Sequence, residues 1–415
     1  MKINRYLYVG ISLALAILTF ACSLFSPILV DSPPAELPAE SEQQPAPEVA
    51  AEPAAPIIPL PIGVATDKSS SGDNLTVFDR EGYTLAQVTT PGLFYSEQGN
   101  IHFAGPLVAQ SNTVPIIYYS FEQNNSLLLN NNSQITTLLS IPYFAGMVGA
   151  PGTDVIAYTT ANFDNDLNAL RTQLFVGTTS TLPSATPILS EDDPQGWAAV
   201  ALAIGAVNGQ PVGVWYSKRP WGIGGDIVFD PRRSLFYLDL GTGASSQILG
   251  AEANPSALSA DQSWIAYTDD TAVGSGVGAM SIRNLQSGAS ATFGLLPASE
   301  PRGAGTATFS PNNQYLAWME GNGWQMAEVP NFHSTVRVGD MNGNIVAEFA
   351  DTALVTVSGL GIVRRVEPVG WFDDNTLIIM ARGDLWDQVA LIRVGIPSKS
   401  TSFLANGVFL GFVYP

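Results

Sequence analysis

Seven runs of β-forming residues recur along the chain, and their spacing constrains the fold more than any other feature. The runs are IGVAT, IIYYS, VIAYT, VGVWYS, WIAYT, YLAWM and LIIMA, centred near residues 64, 117, 157, 214, 266, 317 and 379. Successive centres lie 40 to 62 residues apart, which makes the repeat about 51 residues long. Self-similarity at this period is typical of propellers and solenoids.

Each repeat consists of short strands separated by polar turns. The stretch ATFSPNNQYLAWME, residues 307–320, is predicted to form a strand, a tight turn and a second strand. Later turns end in Gly243 and Gly288, where glycine can adopt a positive φ. Because an isolated four-stranded sheet of this size cannot bury its faces, the sheets must stack radially. The sequence therefore predicts an all-β, seven-bladed β-propeller, and the uneven spacing leaves six or eight blades open.

The two ends of the repeat region are complementary. The first repeat begins at Ile62 without a preceding strand, whereas the chain ends in an apolar segment, NGVFLGFVYP, after the seventh repeat is complete. A C-terminal strand that pairs with the first repeat would remove a free sheet edge. We therefore predict that the propeller spans residues 61–415 and that its C-terminal strand closes blade one.

Three of the repeats resemble those of a known family. The stretches SPNNQYLAWME and SADQSWIAYTDD, together with SIRNLQSG, are similar to the repeat of TolB-like propellers. That repeat contains Ser-Pro-Asp-Gly, an apolar strand and a later turn of the form Asn/Asp-Leu-x-x-Gly. Asn312-Asn313 replaces its Asp-Gly, and asparagine also tolerates the left-handed conformation. The resemblance implies the fold and a protein or peptide partner, and it implies no catalytic residues.

The N-terminal residues 1–22 have the features of an export signal. Lys2 and Arg5 precede an uncharged apolar stretch that extends over residues 7–30. Ala21-Cys22 resembles the end of a bacterial lipoprotein signal, which implies lipidation of Cys22, although Thr19 and Phe20 depart from that pattern. An uncleaved membrane anchor is the main alternative, since about 20 apolar residues span a bilayer; full release is a third. We expect the body of the chain to be extracytoplasmic and anchored to the cell membrane.

Residues 23–60 are predicted to form a disordered linker. Positions 31–60 contain eight prolines, seven alanines and six acidic residues, and no basic residue. Such a composition cannot build a hydrophobic core. It favours an extended acidic spacer between the membrane and the propeller.

The charge and the scarcity of metal-binding residues exclude several classes of protein. The net charge is −19, so binding to the phosphate backbone of a nucleic acid is not expected. The chain has one cysteine and two histidines, which is too few for an internal disulfide or a thiolate or histidine metal cluster. We predict no cofactor and no metal.

No catalytic motif is recognisable in the sequence. The chain contains no G-x-S-x-G and no H-E-x-x-H, and its nearest match to a sialidase Asp-box lacks the glycine. A glycoside hydrolase-like pair of carboxylates is the remaining enzymatic alternative. The stretch Asp164–Asn168 begins like a calcium loop but lacks its turn glycine and its terminal glutamate, so we interpret it as a solvated loop. Arg382-Gly383-Asp384 spells an adhesion tripeptide, a match too short to be informative.

The predicted binding residues lie in the loops between second and third strands, which should emerge on one face of the propeller. These loops carry tryptophans and a group of basic residues, both common anchors of recognition surfaces. The candidates are Trp221, Trp324, Trp386, Lys218, Arg219, Arg232 and Arg233. We predict a protein-binding scaffold of the cell envelope, with a glycan or small ligand as the alternative.

Overall fold

The computed structural model describes most of the repeat region. The described residues are 61–69, 72–90, 116–120, 125–129, 135–141, 143–150, 153–207, 210–221, 229, 231–269, 278–297, 302–322, 332–385 and 387–413. The predicted signal or anchor, the linker, Cys22, Trp324 and Trp386 lie outside them.

The described residues form 27 strands arranged in seven sheets. The strands before the fourth sheet are β1 (Ile62–Ser69), β2 (Gly72–Phe78), β3 (Thr84–Thr90), β4 (Ile116–Ser120), β5 (Asn125–Leu129), β6 (Ile135–Ser140), β7 (Phe144–Gly149), β8 (Val155–Asp164), β9 (Ala169–Thr178) and β10 (Leu189–Asp193). The fourth and fifth sheets contain β11 (Trp197–Val207), β12 (Gln210–Pro220), β13 (Arg233–Asp239), β14 (Ser245–Leu249), β15 (Asn254–Leu258), β16 (Trp264–Thr268), β17 (Met280–Asn284) and β18 (Ser290–Thr292). The remaining strands are β19 (Gly303–Phe309), β20 (Tyr315–Gly321), β21 (Ser334–Asp340), β22 (Ile345–Ala350), β23 (Arg365–Asp373), β24 (Thr376–Arg382), β25 (Val389–Gly395), β26 (Ser400–Asn406) and β27 (Val408–Val413).

The sheets are built in the same way and packed side by side. Six of the described sheets have four strands in consecutive antiparallel order, and the sheet β4–β5–β6 has three. The first strands of consecutive sheets contact one another. Strand β7 contacts β11, β11 contacts β15, and the series continues through β19 and β23 to β27. First strands that meet in this way surround a common axis. The structure is a β-propeller.

The ends of the propeller join as the sequence predicts. Strand β27 pairs antiparallel with β1, with Ile62 opposite Val413 and Thr66 opposite Val408. The first sheet therefore has the order β27–β1–β2–β3 and combines both ends of the repeat region. The predicted C-terminal closure is confirmed.

The seven runs that revealed the repeat are all strands. Six of them are the second strands of the four-stranded sheets, and IIYYS is β4 in the three-stranded sheet. Because residues 91–115 lie outside the described residues, the count of seven blades stays a prediction.

The signature turns owe their shape to a serine and to a left-handed residue. In the turn 310–314, the hydroxyl of Ser310 accepts hydrogen bonds from the backbone N–H groups of Gln314 and Tyr315, each at 3.0 Å. Asn313 has a φ of 58°, as its substitution for the usual glycine predicts. Gly243 and Gly288 also have positive φ values, of 71° and 75°.

The equivalent turn of the fifth sheet makes stability depend on pH. Burial by itself raises the pKa of Asp261, but hydrogen bonds from Ser259, Ser263 and Asn313 outweigh it and lower this pKa to about 2. A carboxylate with a depressed pKa stabilises the fold above its unfolded pKa of about 4, and this contribution is lost as the pH falls towards 2. We expect Asp261→Asn to cost about 1 kcal/mol at pH 7, because solvent screens this exposed group, and nothing near pH 2. Urea unfolding of both proteins from pH 7 to pH 2 measures this difference, and a difference that stays constant would contradict the assignment.

The hydrophobic core lies between adjacent sheets. Val336 and Val338 of the sixth sheet form one cluster with Ile379 and Ile392 of the seventh. Similar clusters join the third sheet to the fourth, the fourth to the fifth, the fifth to the sixth and the seventh to the first. A short helix, α1 (Asp351–Ser358), contributes Leu354 to this cluster from the connection between β22 and β23. The helix was not expected from its sequence, DTALVTVS, which is rich in β-branched residues. Gly359, with a φ of 71°, ends it.

Candidate functional site

The propeller has two unlike ends. Since neighbouring strands are antiparallel, successive connections emerge at opposite ends of each sheet. We call one end the loop face; it carries the second-to-third connections and the links between sheets. Its second-to-third loops are residues 165–168, 221–232, 269–279, 322–333 and 383–388. The opposite end, the turn face, carries shorter first-to-second turns such as 259–263, 310–314 and 374–375.

Polar groups of the turn face bind adjacent sheets together. The backbone N–H of Asn312 donates to Asp374 of the next sheet at 2.8 Å. The side chain of Gln262 accepts from Trp215 Nε1 at 2.8 Å and donates to the carbonyl of Ile204 at 2.7 Å. Arg80 of the first sheet lies 2.7 Å from Asp373 of the seventh. These groups stabilise the ring, and the donors and acceptors named here are occupied by contacts between sheets.

Five of the predicted binding residues lie together on the loop face, around the loop 221–232. Trp221 is exposed, and its backbone N–H donates to the carbonyl of Gly196 at 2.8 Å. Lys218 forms an ion pair with Glu191, and Arg219 is beside it on β12. The backbone N–H of Arg232 donates to Asn254 at 3.1 Å.

The fifth residue, Arg233, has an aromatic partner that the sequence did not reveal. Its guanidinium carbon lies 3.8 Å from the centre of the Trp197 ring, and its Nη2 donates to Gln195 at 3.4 Å. This geometry allows a cation–π interaction. Trp197 begins β11 and therefore lies outside the second-to-third loops from which the sequence candidates were drawn.

Exposed apolar side chains are concentrated on the loop face. Of the thirteen large apolar residues exposed in the described part of the chain, six are in connections or strand ends of this face. They are Tyr143, Phe163, Leu167, Trp221, Ile362 and Leu385. Three others are at the turn face and four are on outermost strands.

Tyr143 adopts a conformation that costs energy. Its φ is 59°, which bulky side chains rarely adopt, and its side chain is 58% exposed. Its carbonyl accepts a hydrogen bond from Ala161 at 2.8 Å, which holds the backbone in place. Strained and exposed residues of this kind are concentrated at functional sites.

Two phenylalanines from second-to-third connections of this face pack on glycines. Phe229, in the loop of the fourth sheet, is buried against Gly305 of β19 in the sixth sheet. A β-carbon at Gly305 would lie 2.5 Å from the Phe229 ring, so only glycine fits there. Phe332 packs on Gly321 in the same way, with a corresponding distance of 2.9 Å. Sequence analysis emphasised the tryptophans of these loops and missed both contacts.

A buried ion network lies below the loop face in the sixth sheet. Glu320 is fully buried and accepts from Arg302 Nε at 2.7 Å and from Arg337 Nη1 at 2.8 Å. The backbone N–H of Leu296 donates to the same carboxylate at 2.8 Å. Arg337 also donates to Glu348 at 3.0 Å, so this network contains two basic and two acidic groups.

A second buried network lies at the loop-face end of the seventh sheet. Glu367 accepts from Arg365 Nη2 at 2.7 Å and from Arg382 Nε at 3.1 Å. Burial by itself raises the pKa of Glu367, yet the two guanidinium groups outweigh it, and the pKa lies below its usual range. Nearby, Arg364 lies 2.6 Å from Asp384. Both charged residues of the Arg-Gly-Asp tripeptide are thus engaged in ion pairs.

His333 lies on the loop face beside a buried acid. Its Nδ1 is 2.9 Å from Asp351 Oδ2, and half of the side chain is exposed. Asp351 also accepts from the backbone N–H of Ser334 at 3.0 Å. The hydroxyl of Ser334 is bound to the backbone N–H of Val366 at 2.7 Å, which directs it away from His333. These three residues do not form a nucleophilic triad.

The stretch that resembled a calcium loop is a hairpin turn. Asp164 accepts from the backbone N–H groups of Asp166 and Leu167 and lies 3.3 Å from Arg171. Among the described residues, no three His, Cys, Asp or Glu side chains are grouped to hold a metal. The helices within that part of the chain include none with the length and apolar character needed to cross a membrane.

Among known proteins, similarity to this chain is found only with solved structures. Neither a protein-family profile nor a curated protein matches the chain. It is similar to oligogalacturonate lyase in complex with manganese, with 12% identity and a TM-score of 0.44 over 84% of this chain and 85% of that one. It is similar to a TolB-type protein from Agrobacterium tumefaciens, with 11% identity and a TM-score of 0.39 over 71% and 90%. A GH74 xyloglucanase from Xanthomonas campestris matches at 11% identity and a TM-score of 0.47 over 84% and 53%.

Proposed function

We propose that the chain is a membrane-tethered, extracytoplasmic β-propeller that binds a protein or peptide through its loop face. The observation that carries this proposal is the concentration of exposed apolar side chains at one end. Apolar and aromatic residues that remain exposed together are typical of interaction surfaces. In the described residues, the turn face carries three such side chains against six at the loop face, and polar groups of the turn face bind neighbouring sheets together.

The entry point of the chain supports this orientation. Strand β1 runs from Ile62 towards the loop face, so the chain enters the propeller at the turn face. Any segment that precedes residue 61 is therefore joined to the end opposite the apolar residues. A tether attached there leaves the loop face open to a partner.

The loop face also contains rigid anchors for recognition. Trp197 and Arg233 stack on each other beside Trp221, and Phe229 packs on Gly305. Tryptophan and arginine contribute much of the binding energy at protein interfaces. Pre-ordered side chains also lose little entropy when a partner binds.

The test compares two triple variants of residues 61–415 that remove equal numbers of exposed apolar side chains. The loop-face variant is Phe163→Ser, Trp221→Ser and Leu385→Ser, and the turn-face control is Tyr83→Ser, Val207→Ser and Val212→Ser. We expect partners captured from envelope and secreted fractions to bind the loop-face variant at least about tenfold more weakly than the control.

Circular dichroism and thermal unfolding establish that both variants are folded. Equal loss in the two variants would contradict a role for the loop face. Binding to glycan arrays without any captured protein would favour the glycan alternative.

A further inference from the structure

Arg382 has an unusual environment on the loop face. It ends β24 directly opposite Arg365 on β23, so two positive charges face each other across the sheet. Like charges in directly opposite positions are destabilising. Glu367, two residues further along β23, lies on the same side as Arg365 and separates the two guanidinium groups.

The single carboxylate of Glu367 is shared between these two arginines. One of its oxygens binds Arg365 and the other binds Arg382. The depressed pKa of Glu367, in spite of its burial, indicates that positive charge dominates this position. By contrast, Arg171 on the third sheet lies near two acids, Asp164 and Asp192.

The Arg382 guanidinium has hydrogen-bonding capacity that Glu367 does not use. Its Nε binds Glu367, whereas its Nη2 faces the sulfur of Met380 at 3.8 Å, a weak acceptor. Among the described residues, neither terminal nitrogen has an oxygen partner. The side chain is 18% exposed, so part of it is open to solvent.

Two exposed aliphatic side chains belong to segments next to Arg382. Leu385 is in the loop that follows Arg382, and Ile362 is in the connection that precedes β23. A β-carbon added at Gly383 would lie 3.3 Å from the carbonyl oxygen of Ile362, which places the two segments against each other. A guanidinium flanked by aliphatic groups suits a carboxylate that has apolar neighbours.

We propose that Arg382 binds a carboxylate of the partner, supplied by an Asp or Glu side chain in an otherwise apolar peptide segment. The segment packs on Ile362 and Leu385 while its carboxylate binds the terminal nitrogens of Arg382. This inference rests on the proposed function and specifies the chemistry of the partner.

The test uses two synthetic peptides, acetyl-Gly-Leu-Phe-Asp-Leu-Phe-Gly-amide and the same peptide with Asn in place of Asp. We expect the full chain to bind the Asp peptide about tenfold more tightly, since a hydrogen bond to a charged group contributes roughly 1.5–3 kcal/mol. Arg382→Gln should abolish this preference. Arg171→Gln, which removes an exposed arginine of another ion cluster on the same face, should retain it.

Two further variants separate binding from folding. Glu367→Gln removes the carboxylate that competes for Arg382 and should increase the preference for the Asp peptide about threefold. If Glu367 and its two arginines only stabilised the fold, the preference would not increase. Arg382→Lys keeps the charge and should retain part of the preference if Arg382→Gln does not fold. NMR of the arginine Nε–Hε groups during titration with sodium acetate should shift the signal of Arg382.

The inference would be overturned if the two peptides bound with equal affinity, or if neither bound, and the Arg382 signal did not shift. The same experiments distinguish failure of this inference from failure of the proposed function. If the loop-face triple variant loses its partner while Arg382→Gln retains it, the loop face binds a partner and the carboxylate assignment is wrong.

Discussion

A chain that ends at Asn406, and so lacks β27, is expected to lose its cooperative unfolding transition. The truncation removes Val408 and Leu410, each 3% exposed, and Phe409 and Phe412, which pack with Val408 in the cluster between the seventh and first sheets. At about 1.5–3 kcal/mol for each of the two buried side chains, and about half of that for each of the two partly buried phenylalanines, the loss is roughly 5–9 kcal/mol. That is comparable to the whole stability of a typical domain, about 5–15 kcal/mol.

The measurement is urea unfolding followed by tryptophan fluorescence and circular dichroism. The matched control ends at Val413 and removes only Tyr414 and Pro415, so its transition should be unchanged within about 0.5 kcal/mol. Addition of a synthetic peptide of residues 407–415 should restore part of the lost stability. A truncated chain that unfolds at the same urea concentration as the control would show that β27 does not stabilise the ring.

Glu320→Ala is expected to destabilise the propeller by about 3–5 kcal/mol, because it leaves the guanidinium of Arg337 buried without its main partner. The side chain of Arg337 is 6% exposed, and that of Glu320 is fully buried. Arg302 and the backbone N–H of Leu296 lose the same acceptor.

The control for this prediction is Glu348→Ala, which removes the other carboxylate bound by Arg337. Glu348 is 42% exposed, so its loss should cost about 1 kcal/mol or less. Thermal unfolding of both variants gives the comparison. If the two substitutions cost the same, burial of Glu320 does not determine the strength of this network.

The sequence predicted those parts of the fold that depend on local chemistry. The run YLAWM is β20, and Ser310 and Asn313 form the turn that precedes it. Hydrophobic patterning and turn residues specify such hairpins within a few positions. The apolar C-terminal segment predicted the ring closure, because a missing first strand and a surplus last strand are complementary.

Helix α1 and the details of the candidate site depended on contacts between distant residues. Leu354 is helical because it packs between two sheets, although its neighbours favour a strand. The partners Phe229 and Gly305, or Glu320 and Arg337, meet only in the folded ring. The predicted topology placed the loops on one face. The sequence could not predict that Tyr143 and Phe163 are exposed there, or that two arginines share Glu367.

The position of β1 between β2 and β27 determines how the domain responds to mechanical force. A partner held at the loop face and a tether attached before Pro61 would pull along the length of β1. Its seven residue pairs with β2 and five with β27 lie across the direction of that force. These contacts must shear together, whereas a force at the edge of a sheet would peel its bonds apart one at a time. Under the proposed function, the first sheet is therefore expected to act as a mechanical clamp when a tether and a partner pull on the domain.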